Sequence, residues 1–118
     1  MSVKRYTVDQ VNVDGFEVFI LQDTKEQTAA KIIPKLGNNC YSFTQTVGKE
    51  SIDIIEPPPD LKTLAQRPSS YGNPVLFPFP NRIRQGKFSF EDKSYTFDKP
   101  SDSPNSIHGL VIDQPFYV

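Results

Sequence analysis

The chain has 118 residues, of which 36% are hydrophobic and 12% aromatic, enough for one folded domain and too apolar for a disordered chain. Its 13 basic and 14 acidic residues leave a formal net charge of -1 and no block of like charge, which argues against a nucleic-acid partner. No run of about 18 apolar residues occurs, so we expect no transmembrane helix and no membrane partner.

The first half of the chain is rich in β-forming residues and predicts five short strands. Asp14-Gly15 separates the first two, and Asp-Gly between β-rich runs is typical of a hairpin because glycine tolerates the positive φ of a tight turn. Short connections exclude the long crossovers that parallel strands need, so an antiparallel sheet or sandwich is expected. The predicted strands are residues 6–13, 16–21, 28–33, 39–47 and 51–55.

Cys40 lies in the fourth predicted strand and is the only cysteine. It cannot form an internal disulfide, and the N-terminal residues lack the apolar core of a signal peptide, so we expect a cytoplasmic protein. No histidine lies close in sequence to activate the thiol. We therefore expect Cys40 to be a small buried side chain and not a nucleophile.

Seven of the eleven prolines lie between Pro57 and Pro80. The triplet at residues 57–59 is typical of a linker or of a polyproline II ligand. One helical turn is predicted at residues 60–65, with Asp60 as its N-cap. Residues 72–80 alternate prolines with large apolar side chains, and we expect this loop to be pressed against a core and to form the floor of a site.

The last third predicts a second hairpin, formed by residues 87–90 and 95–97 around residues 91–94, followed by a polar loop at residues 99–105. Two groups of polar residues flank this region. Asn81 carries an amide that both donates and accepts, and Arg82 carries a guanidinium fork, which together suit sugar hydroxyls, carboxylates or phosphates.

His108, the only histidine, could exchange protons at cellular pH, and Gly109 after it permits close backbone approach. An isolated arginine or histidine is more often structural than functional. No second histidine or cysteine completes a metal site, and no nucleotide fingerprint or nucleophile elbow occurs, so we expect neither metal nor cofactor. From the residues themselves, the prediction is a β-rich domain with a polar site around Asn81, Arg82 and His108.

The order and spacing of several motifs resemble the aldose 1-epimerase family. The resemblance covers about residues 72–114 and rests on Gly72-Asn73-Pro74, Asn81-Arg82-Ile83, Gly86-Lys87-Phe88, Tyr95 and Asn105-Ser106-Ile107-His108-Gly109. It implies an all-β, antiparallel fold, the N-terminal portion of a galactose-mutarotase-like β-supersandwich. Residues 1–118 would then form the N-terminal part of a single, truncated domain.

The resemblance also implies a function: acid–base interconversion of the α and β anomers of a hexose or hexose phosphate, without a cofactor. Asn81 and Arg82 are similar to the family's sugar ligands, and His108 to its first histidine, on the ring-oxygen side. The family's second histidine and its glutamate base have no counterpart here. We therefore expect this chain to hold the sugar but to be inactive by itself; the pattern favours no particular oligomeric state.

Three alternative functions remain open from the sequence. A hexose-6-phosphate 1-epimerase would use additional cations, for which Arg84 and Lys87 are candidates. A non-catalytic carbohydrate-binding β-sandwich would bind the sugar without turnover. A peptide-interaction protein would use an exposed, mobile segment at residues 57–59.

Overall fold

The computed structural model describes residues 4–118, and the predicted all-β, antiparallel class is confirmed. The described residues form nine strands and one short helix. No helix among these residues is long and apolar enough to cross a membrane. In chain order these are β1 (Tyr6–Val13), β2 (Phe16–Asp23), β3 (Thr28–Ile33), β4 (Asn39–Val47), β5 (Glu50–Ile55), α1 (Leu61–Gln66), β6 (Arg82–Arg84), β7 (Lys87–Phe90), β8 (Lys93–Thr96) and β9 (Asn105–Ile107).

The chain divides into two compact units. The first contains the described residues up to Val75 together with Ile112–Val118, and the second contains Leu76–Val111. In the first unit, β1 to β5 form one antiparallel sheet in sequence order. The Asp14-Gly15 hairpin is confirmed, since both residues have positive φ, 52° and 87°, as a tight primed turn requires.

Six buried hydrophobic residues form the core of the first unit. The helix α1 supplies two of them, Leu61 and Leu64, and each fully buried side chain of this size contributes roughly 1.5–3 kcal/mol. The Asp60 side chain accepts a hydrogen bond from the Thr63 N–H at 2.6 Å, which confirms it as the N-cap. The core residues are Val18, Ile33, Leu36, Tyr41, Leu61 and Leu64.

The five strands predicted for the first half are all present, with small changes at two ends. β2 extends to Asp23 instead of ending at residue 21, and β5 begins at Glu50 instead of residue 51. Cys40, expected to be buried, is half-buried. Burial raises the pKa of the Cys40 thiol, which disfavours the thiolate that a nucleophile needs.

The second hairpin predicted for the last third is confirmed, but its turn and the end of the polar loop differ from the prediction. The second hairpin turns over two residues, Glu91 and Asp92, both at positive φ, and not over four. β8 therefore spans Lys93–Thr96, and Phe97 lies outside it, donating its N–H to the Gly86 carbonyl at 2.7 Å. The polar loop expected at residues 99–105 ends one residue early, because Asn105 begins β9.

The proline-rich loop at residues 72–80 is packed only in part: none of its residues is fully buried, but Pro74, Leu76 and Phe79 are half-buried. Its role as the floor of a site stays a prediction. Phe77 is 63% exposed, and Val75 is exposed as well. Among the earlier prolines, Pro57 and Pro59 are exposed and Pro58 is half-buried.

Candidate active site

A short two-stranded ladder in the second unit brings the predicted site residues together. β6 and β9 pair antiparallel, with Arg82 opposite Ile107 and Arg84 opposite Asn105. Asn81 comes directly before β6, and His108 comes directly after β9. Because the strands run in opposite directions, the start of one lies beside the end of the other.

Asn81 and His108, 27 positions apart in sequence, form two hydrogen bonds with each other. The backbone N–H of Asn81 donates to Nδ1 of the His108 imidazole at 3.2 Å. The backbone N–H of His108 donates to the carbonyl oxygen of Asn81 at 2.9 Å. The His108 ring is half-buried, and this pair of bonds fixes it against the residue that begins the Asn-Arg motif.

Both residues have a left-handed backbone. Asn81 has φ 60° and His108 has φ 62°, a conformation that costs most residues roughly 1–2 kcal/mol and that asparagine tolerates best. Strained conformations of this kind persist where the surrounding structure holds them, often at functional sites. Here the two mutual hydrogen bonds hold them.

Arg82 is exposed, and its Nη1 donates to the side-chain Oδ1 of Asn81 at 3.2 Å. Side chains alternate along a strand, so Arg84 shares the face of Arg82, whereas Ile83 points the other way and is half-buried. The guanidinium group of Arg82 thus lies beside the Asn81–His108 pair. The arrangement offers several donors to an oxygen-rich ligand.

Gly109 allows the turn after His108 to lie against Phe77. Its φ is 77°, and a Cβ at this position would overlap the carbonyl of Phe77. Phe77 and Gly109 form a parallel bridge, and the Leu110 N–H donates to the Phe77 carbonyl at 2.7 Å. The glycine is required by this close approach, which anchors the segment that carries His108.

Two further contributors were not singled out from the sequence. The Oδ1 of Asn105 accepts the Gln85 N–H at 3.2 Å, which ties the turn after β6 to the start of β9. Ser106, 2% exposed, lies in the centre of the ladder. Asn105 belongs to the motif that ends in His108 and Gly109, so the motif was the signal that could have identified it.

An apolar cleft of about 330 Å3 lies in the same unit. Its aromatic side chains pack against one another, with Phe79 and Phe97 edge to face at 5.0 Å between ring centroids and Phe88 stacked on Phe97 at 5.8 Å. The cleft is lined by Pro78, Phe79, Ile83, Phe88 and Phe97.

Within residues 4–118, no group of three or more His, Cys, Asp or Glu side chains is arranged to hold a metal ion. The polar groups of the candidate site are an imidazole, a guanidinium and an amide. These groups bind and orient oxygen-bearing ligands through hydrogen bonds.

The antiparallel fold is of the galactose-mutarotase-like class. The chain is similar to the crystal structure of a galactose mutarotase-like protein from Clostridium acetobutylicum, with a TM-score of 0.79 and 27% sequence identity. The match covers 96% of this chain and 33% of that one, so the chain spans about a third of the length of its structural neighbour. Residues 20–118 match the model of the aldose 1-epimerase family, and the chain belongs to that family. Both the predicted resemblance and the predicted fold class are confirmed.

Proposed function

We propose that this chain serves an aldose 1-epimerase that interconverts the α and β anomers of a hexose, and that its 118 residues carry the sugar-holding half of the site. The observation that carries the proposal is the meeting of Asn81, Arg82 and His108 at one end of the β6–β9 ladder. Their order along the chain is that of the family's site motifs.

In this reaction an acid protonates the ring oxygen while a base takes the proton of the anomeric hydroxyl. The C1–O5 bond breaks, and the anomeric carbon becomes an aldehyde. The ring oxygen becomes the hydroxyl on C5. Rotation of the carbonyl and attack of this C5 hydroxyl on its other face give the second anomer, as the acid takes its proton back and the base returns a proton to the anomeric oxygen. The step needs no oxidant and no group transfer.

Arg82 and Asn81 would bind sugar hydroxyls, because a guanidinium donates and an amide both donates and accepts. His108 would lie on the ring-oxygen side and assist positioning or acid catalysis. The chain has one histidine, so a second histidine acid would have to come from outside these residues.

The proposal is tested by titrating the ¹⁵N-labelled 118-residue chain with galactose and with glucose, followed by NMR. We expect chemical-shift changes centred on Asn81, Arg82 and His108, and weaker binding in Arg82→Ala. Arg67→Ala, which removes an exposed arginine of the first unit, is the matched control and should bind as the wild type does. Chemical-shift changes spread over the whole surface, or no changes at all, would refute the proposed site.

Polarimetry tests the assignment of half a site. The purified chain should not accelerate mutarotation above the buffer rate, and acceleration would contradict the proposal. If the protein is instead a non-catalytic sugar-binding sandwich, the protein encoded by the full reading frame around these residues should also fail to accelerate mutarotation. That protein is therefore the second sample.

One observation favours a phosphorylated substrate as the second candidate. Arg82 and Arg84 lie exposed on the same face of β6, and Lys87 is exposed at the start of β7. The two guanidinium groups on one face of β6 suit a phosphate. Tighter binding of glucose 6-phosphate than of glucose, lost in Arg84→Ala, would favour this substrate.

We also propose that residues 1–118 are the N-terminal part of a single domain, which is supported by a family match that runs through both compact units. One cooperative thermal transition, seen alike by probes in each unit, is expected, and two separate transitions would refute it. The cytoplasmic location stays a prediction.

A further inference from the structure

We infer that Asn81 is a positioning residue that fixes the tautomer of His108, so that the imidazole presents a protonated Nε2 as a hydrogen-bond donor to the ligand. The identity of that ligand as a sugar rests on the proposed function. The tautomer itself is a property of the free chain and can be measured without any sugar.

The tautomer follows from the direction of one hydrogen bond. A backbone amide can only donate, and the Asn81 N–H lies 3.2 Å from Nδ1 of His108. Nδ1 must therefore be the nitrogen that carries no proton. A neutral imidazole carries one proton, which leaves it on Nε2.

The backbone of Asn81 is held in the position from which it can make this bond. Its own carbonyl accepts the His108 N–H at 2.9 Å, and the next residue, Arg82, is already paired in the ladder opposite Ile107. Asn81 makes the bond from a left-handed backbone, with a φ of 60°. Asparagine is among the few residues other than glycine that adopt this conformation readily.

Asparagine also does what glycine could not do at this position. Its Oδ1 accepts a hydrogen bond from Nη1 of Arg82 at 3.2 Å. One residue thus orients two groups, the imidazole through its backbone and the guanidinium through its side chain. Both groups then offer N–H donors to the same ligand.

The chemical consequence concerns the role of His108. With Nδ1 engaged and Nε2 protonated, the neutral ring has no free acceptor, so it cannot remove the proton of the anomeric hydroxyl. It can donate to a lone pair, such as that of the ring oxygen. The geometry assigns His108 to the donor side of the reaction, and the base must be another group.

The direct test is the ¹⁵N spectrum of the imidazole in the free wild-type chain, at a pH where the ring is neutral. With one histidine in the chain, every imidazole signal belongs to His108. We expect a protonated Nε2 and an unprotonated Nδ1, with a cross-peak through the hydrogen bond between the Asn81 nitrogen and Nδ1. A protonated Nδ1, or the averaged signals of a freely exchanging ring, would overturn the inference.

Two variants of Asn81 separate its backbone from its side chain. Asn81→Gly keeps the positive φ and the N–H, so the tautomer and the cross-peak should persist while the Arg82 guanidinium protons exchange faster with water. Asn81→Val, β-branched at a positive φ, should lose the cross-peak and shift toward a mixture of tautomers. The Ile83–Ser106 pairing reports whether the ladder survives. An unchanged tautomer in Asn81→Val, with the ladder intact, would contradict the role of Asn81.

Adding galactose distinguishes this inference from the proposed function. A shift confined to Nε2, with Nδ1 still unprotonated, supports both. If the free chain has the expected tautomer and galactose moves neither nitrogen, the positioning role stands and the sugar assignment fails. A switch of the proton to Nδ1 on binding would overturn the donor role.

Discussion

Asn81 and His108 are hydrogen-bonded twice, once from the Asn81 N–H to Nδ1 of the imidazole at 3.2 Å and once from the His108 N–H to the Asn81 carbonyl at 2.9 Å. Only the first bond depends on the identity of the side chain at position 108. The two bonds can therefore be separated by mutation, and the separation shows how much the imidazole contributes to the geometry of the site.

In His108→Ala, the Asn81 N–H loses its acceptor and its exchange with solvent should accelerate. A hydrogen bond contributes about 0.5–1.5 kcal/mol net, which corresponds to an acceleration of about two- to tenfold. The Gly86 N–H, bonded to the Ile83 carbonyl at 3.0 Å, is the internal control and should exchange at the wild-type rate. Amide exchange by NMR measures both, and equal Asn81 rates in the two proteins would contradict the bond.

Gly109→Ala should destabilise the chain more than Gly48→Ala. Both glycines have positive φ, 77° and 66°, but a Cβ at Gly48 meets nothing within 4 Å, whereas one at Gly109 overlaps the Phe77 carbonyl. We expect a loss of about 1 kcal/mol at Gly48 from the conformation itself. At Gly109 the loss should reach about 3 kcal/mol, because the backbone must also move apart.

Urea denaturation followed by circular dichroism gives both free energies of unfolding. The exchange rate of the Leu110 N–H, which is bonded to Phe77, locates the damage. Equal losses in the two variants would mean that the approach of Gly109 to Phe77 is not a constraint.

The effect of replacing the helix cap on thermal stability should depend on whether the new side chain keeps an acceptor oxygen. The Asp60 side chain accepts the Thr63 N–H, and this backbone hydrogen bond lowers the pKa of the carboxyl group. Asp60→Ala removes the acceptor and should lower the thermal midpoint, because α1 carries the buried Leu61 and Leu64 into the core. Asp60→Asn retains a good cap and should unfold close to the wild-type temperature at neutral pH. Equal midpoints for the two variants would contradict the capping role.

Local sequence patterns were sufficient to predict the strands and the helix of the first unit. The strands around Asp14-Gly15 and the cap at Asp60 depend on residues close in sequence, so alternation and turn chemistry predicted them. The pairing of β6 with β9 could not be predicted from local patterns. Each strand has three residues, too few for a period, and they pair across a separation of about twenty positions.

The candidate site residues were chosen by the order of their motifs, whereas their contacts were not predictable. The Asn81–His108 bonds exist only because Arg82 pairs with Ile107, and that register is a tertiary property. The burial of the loop at residues 72–80 was overestimated for a related reason. Large apolar side chains favour burial, but burial requires a neighbouring surface, and Phe77 remains 63% exposed.

Asp23 should contribute to the loss of folding stability at acidic pH. Hydrogen bonds from the Arg5 guanidinium, at 2.7 Å for the shortest, hold the pKa of Asp23 down at about 2, from an ordinary 3.8. A carboxyl group with a depressed pKa stabilises the folded state above its unfolded pKa and loses this effect as the pH falls through its folded pKa. The contribution should therefore be complete at neutral pH and disappear between about pH 4 and pH 2.

Asp23→Asn keeps the Oδ1 that accepts the Lys25 and Glu26 N–H groups but removes the charge that pairs with Arg5. Its thermal midpoint should lie below that of the wild type at pH 7, and the gap should close near pH 2. The gap at pH 7 should be small and should shrink further in high salt, because the pair is exposed. Asp53→Asn, which removes an exposed carboxylate from β5, is the matched control and should show no such gap. A gap for Asp23→Asn that stays constant from pH 7 to pH 2 would mean that the loss arises from packing and not from the ion pair.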